Sequence, residues 1–95
     1  MITFRRNLTA DIADIGCRPD EEILAPGEYV KVPADNQVSV IAWAFLCCPT
    51  CHKIWTLGKR NHQVDASGKV TPSDVCPDPK GCSFHEFICL DGWGE

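Results

Sequence analysis

The run Cys48-Pro49-Thr50-Cys51, set at the end of the chain's longest apolar stretch, constrains the fold more than any other feature. Two cysteines separated by two residues bring both sulfurs to one side only if the backbone turns tightly between them. Pro49 favours that turn by fixing its own φ and removing an amide that would need a partner. Before the turn, Val38 to Cys47 places Val38, Val40, Ala42 and Ala44 on one face of an extended chain, and Ser39, Ile41, Trp43, Phe45 and Cys47 on the other. Nearly all are apolar, which predicts a central strand covered on both sides. After it, Lys53-Ile54-Trp55-Thr56-Leu57 resumes an extended pattern, so the paired cysteines sit at the tip of a predicted hairpin.

A chain of 95 residues buries only about 60 to 65% of the surface its unfolded form exposes, and domains this small often add a metal or disulfides. Seven cysteines supply either. Residues 1 to 16 contain no apolar run long enough for a secretory leader, and Val38 to Cys48 falls far short of the roughly 20 residues of a membrane span. The expected location is therefore the cytoplasm, where thiols stay reduced and paired cysteines are more often metal ligands than bridges. An odd cysteine count agrees. A redox role for the CxxC would want a helix opening at the motif, and the sequence after Cys51 is strand-like instead.

Three residues compete for the other half of a tetrahedral site. Cys82-Ser83-Phe84-His85 repeats the two-residue separation, and this spacing favours Cys82 and His85 with Cys48 and Cys51 around one structural zinc ion. Cys76 with Cys82 would give an all-cysteine site, across a wider loop that contains two prolines. The 30 residues between Cys51 and Cys82 exceed the twelve or so of a DNA-reading finger and suit two ligand pairs on two hairpins. Cys47, adjacent to Cys48 on a strand, points to the opposite face and reads as a small buried hydrophobe, as does Cys89; Cys17 reads as a surface or half-buried thiol. His52 and His62 read as solvated loop residues.

Elsewhere, Tyr29, Val30 and Val32 predict a strand after the Pro26-Gly27 turn, Asp65 to Gly68 predicts a turn, and Val70 to Val75 a short extended segment. Cys76 to Cys82 reads as a loop, and Ser83 to Leu90 as the last strand. Ile12, Ala13 and Ile15 are too sparse for a helical stripe. Residues 1–25 are accordingly expected to form an irregular or partly helical arm, with a helical turn within 8–15 capped by Asn7 or Thr9, and 26–95 a zinc-ribbon-like antiparallel β domain. The expected class is all-β.

The run Cys48-Pro49-Thr50-Cys51, then Gly68 to Ser73, then Gly81-Cys82-Ser83-Phe84-His85-Glu86-Phe87-Ile88, then Gly92-Trp93, resembles small uncharacterised zinc-ribbon proteins of tailed bacteriophages and prophages. The resemblance covers residues 38 to 95 and implies Cys48, Cys51, Cys82 and His85 as ligands. Cys76 is not demanded by that pattern, and residues 1–37 match none of it. The resemblance implies no established activity.

Function is expected to be binding rather than catalysis. Glu86 follows His85 directly, whereas a zinc deaminase carries its Glu two residues after the ligand His. The formal charge of −4 opposes nucleic-acid binding. Zinc held by three thiolates and a histidine would add about −1. Segment 52–70 alone is basic, at +3, through Lys53, Lys59, Arg60 and Lys69 against Asp65, with Trp55 nearby for stacking. The principal expectation is a protein-interaction module acting on a host protein, with a nucleic-acid-binding ribbon that uses 52–70 as the alternative. Trp93 would serve as an aromatic anchor if exposed and as a core residue if not.

Overall fold

A computed structural model describes residues 1–76, 82 and 84–94. Among these residues nine strands follow in chain order: β1 (Ile2–Arg6), β2 (Glu28–Lys31), β3 (Ala42–Cys47), β4 (Ile54–Gly58), β5 (Gln63–Val64), β6 (Val70–Thr71), β7 (Asp74–Val75), β8 (His85–Glu86) and β9 (Ile88–Leu90). The only helix among the described residues is α1 (Asp20–Ile23), joined by 3-10 turns at Ile12–Asp14 and Gln37–Val40. The all-β expectation holds. Among the described residues no helix is long and apolar enough to cross a membrane.

The main sheet has the order β4-β3-β2-β1-β9. β2, β3 and β4 pair antiparallel, as the predicted hairpin requires, with Leu46 opposite Trp55 and Cys47 opposite Ile54. β1 runs parallel to both β2 and β9. The sheet is therefore mixed rather than wholly antiparallel, and residues 2–6 are an interior strand rather than part of an arm. Phe4, fully buried, explains why: its ring meets Trp55 and Phe84 edge-on at centroid distances of 6.2 and 6.1 Å. Five residues of strand burying one such aromatic outweigh the weak local pattern.

The long crossover from β1 to β2 covers one face of the sheet. Ile23 and Leu24 pack there with Val30 and Cys47, flanked by Ala10, Ile12 and Ile15. Asp20 locks α1 in place by accepting the backbone N–H of Ile54 at 3.0 Å. The turn at 12–14 is capped by the Asp11 side chain, which accepts from Ala13 N; Asn7 instead closes the preceding bend by accepting from the amides of Thr9 and Ala10. The larger core lies on the other face and contains Phe4, Tyr29, Leu46, Leu57, Ile88 and Trp93.

Two local expectations change. Val38 to Val40 lies in a 3-10 turn, because the Asn36 side chain accepts from Val38 N at 2.9 Å, and the strand begins only at Ala42. The predicted last strand is divided into β8 and β9, with Phe87 exposed between them. The loop predicted from Cys76 to Cys82 lies mostly at 77–81, outside the described residues, as does Ser83. Trp93 belongs to the core, 6.1 Å from Tyr29 and 6.2 Å from Trp43 between ring centroids.

Candidate metal centre

β3 delivers Cys48 to the core face because alternation puts it opposite Cys47. Cys48 joins the main core, and Cys47 the cluster beneath α1. Burial, with the nearby Asp20 carboxylate adding to it, pushes the Cys47 thiol up to about 11, so this cysteine stays neutral and packs as a hydrophobe.

After Cys48 the chain turns tightly. Cys48 N donates to Lys53 O at 2.8 Å and His52 N donates to Cys48 O at 3.0 Å, closing the loop between β3 and β4. His52 sits at φ 65°, in the left-handed region, where the chain reverses. Its side chain is exposed, as expected of a loop residue. Within this loop the amides of Thr50 and Cys51 point at Cys48 Sγ, at 3.4 and 3.5 Å. Burial raises the Cys48 thiol, but these two amides, helped by the thiol of Cys82, outweigh it and leave its pKa lowered. Cys51 is displaced the other way, mainly by burial.

Cys76 and Cys82 reach the same point from the connection between β7 and β8. Cys76 N donates to Phe84 O at 3.1 Å, extending the pairing in which Asp74 faces Glu86 and Val75 faces His85. Cys48 Sγ lies 3.6 Å from Cys82 Sγ, and Cys51 Sγ lies 3.6 Å from Cys76 Sγ. All four sulfurs fall within 4.8 Å of one another, so a single ion can touch them all. A disulfide would need about 2.05 Å, and these cysteines are free thiols.

Three of the four residues expected from the sequence thus come together: Cys48, Cys51 and Cys82. The fourth position is held by Cys76, and His85 stands elsewhere, exposed, with Nε2 3.0 Å from Ser73 Oγ. The reason is again alternation. Phe84 enters the core immediately before β8, so His85 turns to the opposite side. A CxxH pair converges only through a turn like that at 48–51, and the chain at Phe84–Glu86 is already extended.

A buried polar group joins β4 to β7. Trp55 Nε1 donates to Asp74 Oδ2 at 2.9 Å, and Asp74 Oδ1 lies 3.5 Å from His62 Nε2. His62 is therefore largely enclosed rather than solvated, and its Nδ1 is buried with no hydrogen-bond partner among the described residues. Cys89 is half-buried, 3.9 Å from Ser67 O, and Cys17 is exposed.

Comparison with protein-family models, curated proteins and solved structures returns no match.

Proposed function

We propose that the protein is a small accessory module in which one structural zinc ion, held by Cys48, Cys51, Cys76 and Cys82, fixes the fold for binding to another protein. The convergence of four thiols from two separate chain connections carries this reading. A zinc ion with Zn–S bonds of about 2.3 Å needs tetrahedral edges of about 3.8 Å between sulfurs. The 3.6 Å separations fit that size. Four protein ligands fill a tetrahedral site and leave no open position, which is the arrangement of a structural rather than a catalytic ion. An all-thiolate tetrahedron also accepts iron, so metal analysis is part of the test.

A protein partner is favoured over nucleic acid on two grounds. Four thiolates around a dication add about −2 to a chain already at −4. Trp55, the stacking residue that segment 52–70 would need, is only 7% exposed and packs against Phe4 and Phe84. The resemblance to phage ribbon proteins supports a host protein as that partner and the cytoplasm as the location.

The test is metal analysis of the purified chain, followed by chelation and capture. About one zinc per chain, loss of the β-sheet circular dichroism after verified removal of the ion, and recovery of one partner by the zinc-loaded chain alone are expected. A chain that holds no zinc, or melts unchanged without it, removes the structural role.

A further inference from the structure

A groove on the side of the sheet away from α1 carries two cations and, among the described residues, no carboxylate in its lining. Lys31 Nζ lies 4.4 Å from the Trp93 ring centroid and Lys59 Nζ 4.5 Å from that of Trp43, and the two indoles themselves meet edge to face. Together with Ser39 they line a cavity of about 180 Å³. Lys59 also lines a neighbouring cavity of about 270 Å³, shared with Arg60 and His62. Neither lining includes an aspartate or glutamate, whereas the cavities beside Arg18 and Arg5 include Asp20 with Glu21 and Asp91. In a chain with 13 acidic and 9 basic side chains, a groove whose charged lining residues are all basic is matched to an anion.

The groove also has an apolar rim. Val40 and Ile41, between the lining residues Ser39 and Ala42, are 78% and 66% exposed. Lys59 N donates to Ile41 O at 2.9 Å, which holds this rim against the cation. Trp43 Nε1 donates to His62 O at 2.9 Å and fixes the indole beneath Lys59. Both features exist before any ligand arrives, so little ordering is required on binding.

We infer that this groove docks an acidic, apolar peptide segment of the partner protein, an inference that rests on the protein-partner reading above. Carboxylates of the segment meet Lys31 Nζ and Lys59 Nζ, while a leucine- or phenylalanine-sized side chain covers Val40 and Ile41. Lys31 gives one ammonium hydrogen to Trp93 O at 2.8 Å and keeps two for the ligand. The Lys59 ammonium has no hydrogen-bond or ion-pair partner among the described residues. The exposed pair favours peptide over nucleic acid, since Val40 and Ile41 present aliphatic surface rather than the aromatic face on which bases stack.

A displayed library of random dodecapeptides, selected on the metal-loaded full chain, tests this. Enriched peptides are expected to combine Asp or Glu with a large apolar residue, and a synthetic copy to shift the Trp43 indole N–H signal in NMR. Its affinity should fall about ten-fold or more in Lys59→Glu and in Ile41→Asp, and less in Lys59→Met. Ile41 is exposed and Lys59 half-buried, and metal content and melting confirm that the variants fold. No enrichment, enrichment of peptides without acids, or affinity indifferent to these substitutions overturns the groove. So does a thymidine octanucleotide that shifts the Trp43 signal at lower concentration than the peptides do. Capture of the same partner by wild-type and Lys59→Glu chains alike defeats the groove but leaves the proposed function intact, whereas a wild-type chain that captures no partner defeats the function itself.

Discussion

Trp55 Nε1 donates to Asp74 Oδ2 at 2.9 Å, with both side chains buried, and this bond joins the two segments that carry the cysteines. Trp55 lies on β4 beyond Cys51, and Asp74 on β7 before Cys76. The bond thus ties β4 to β7, one strand from each cysteine-bearing segment. Asp74→Ala leaves the indole N–H buried and unpaired, at a cost of about 1–3 kcal/mol. Asp74→Asn keeps an acceptor and should cost less. Urea midpoints of the two metal-loaded variants check this, and equal midpoints would show that the bond does not hold the hairpins together.

Cys76→Ser should lower zinc affinity as severely as Cys48→Ser, Cys51→Ser or Cys82→Ser, while His85→Ala should leave it unchanged. Competition with a chromogenic chelator measures this directly. A His85→Ala chain that loses its ion, beside a Cys76→Ser chain that keeps it, would restore the ligand set expected from spacing alone.

Phe4→Ala should destabilise the chain by about 3–5 kcal/mol, the usual cost of emptying a buried aromatic site. An irregular arm would tolerate the change, so thermal melting distinguishes the two descriptions of residues 2–6.

The contrast between Phe4 and Cys48 shows what the sequence makes legible. β3, the turn at 48–51 and β4 form from neighbours in the chain, so alternation and one proline suffice to place them, including the opposite facings of Cys47 and Cys48. β1 pairs with β9, with Ile2 opposite Ile88, and nothing local announces a strand whose partner lies at the far end of the chain. Cys76 was similarly obscured. Its spacing to Cys82 looks poor as a ligand pair, and its place depends on β7 pairing with β8 and on the Phe84 carbonyl. His62 read as a loop residue because its enclosure comes from Asp74, twelve positions later in the chain. Asn36 carries a local signal, since an Asn two residues before Val38 marks a capped turn better than a strand start.

Asp65 should titrate below the ordinary aspartate value of about 3.8. The Ser67 hydroxyl at 2.6 Å and the amides of Ser67 and Lys69, at 2.9 and 3.0 Å, all donate to Oδ1 and favour the ionised form. A carboxylate with a lowered folded pKa stabilises the fold above its unfolded value and loses that contribution as pH falls through the folded one. The turn at 65–68 should therefore hold at pH 5 and loosen as acid reaches the lowered value. Amide exchange at Ser67 and Lys69, followed with the Asp65 carboxyl signal by NMR, should move together; independent titrations would separate the turn from the carboxylate.

Gly68→Ala should be among the most damaging single-methyl changes in the chain. Gly68 has φ +91°, where a side chain is strained whatever the space. A Cβ there would also collide with Leu90 O and press on Trp93 Cβ. The same glycine accepts the Leu90 N–H at 2.7 Å, and Lys69 bridges to Cys89, so the methyl group would force this turn away from β9. Strain and overpacking together predict a loss of at least about 2 kcal/mol. Gly27→Ala is the control: its φ of +81° carries the same strain, but a Cβ there meets nothing within 4 Å. The difference between the two urea midpoints isolates the collision. Equal losses would mean that the β9 contact yields without cost and that only the backbone angle matters at Gly68.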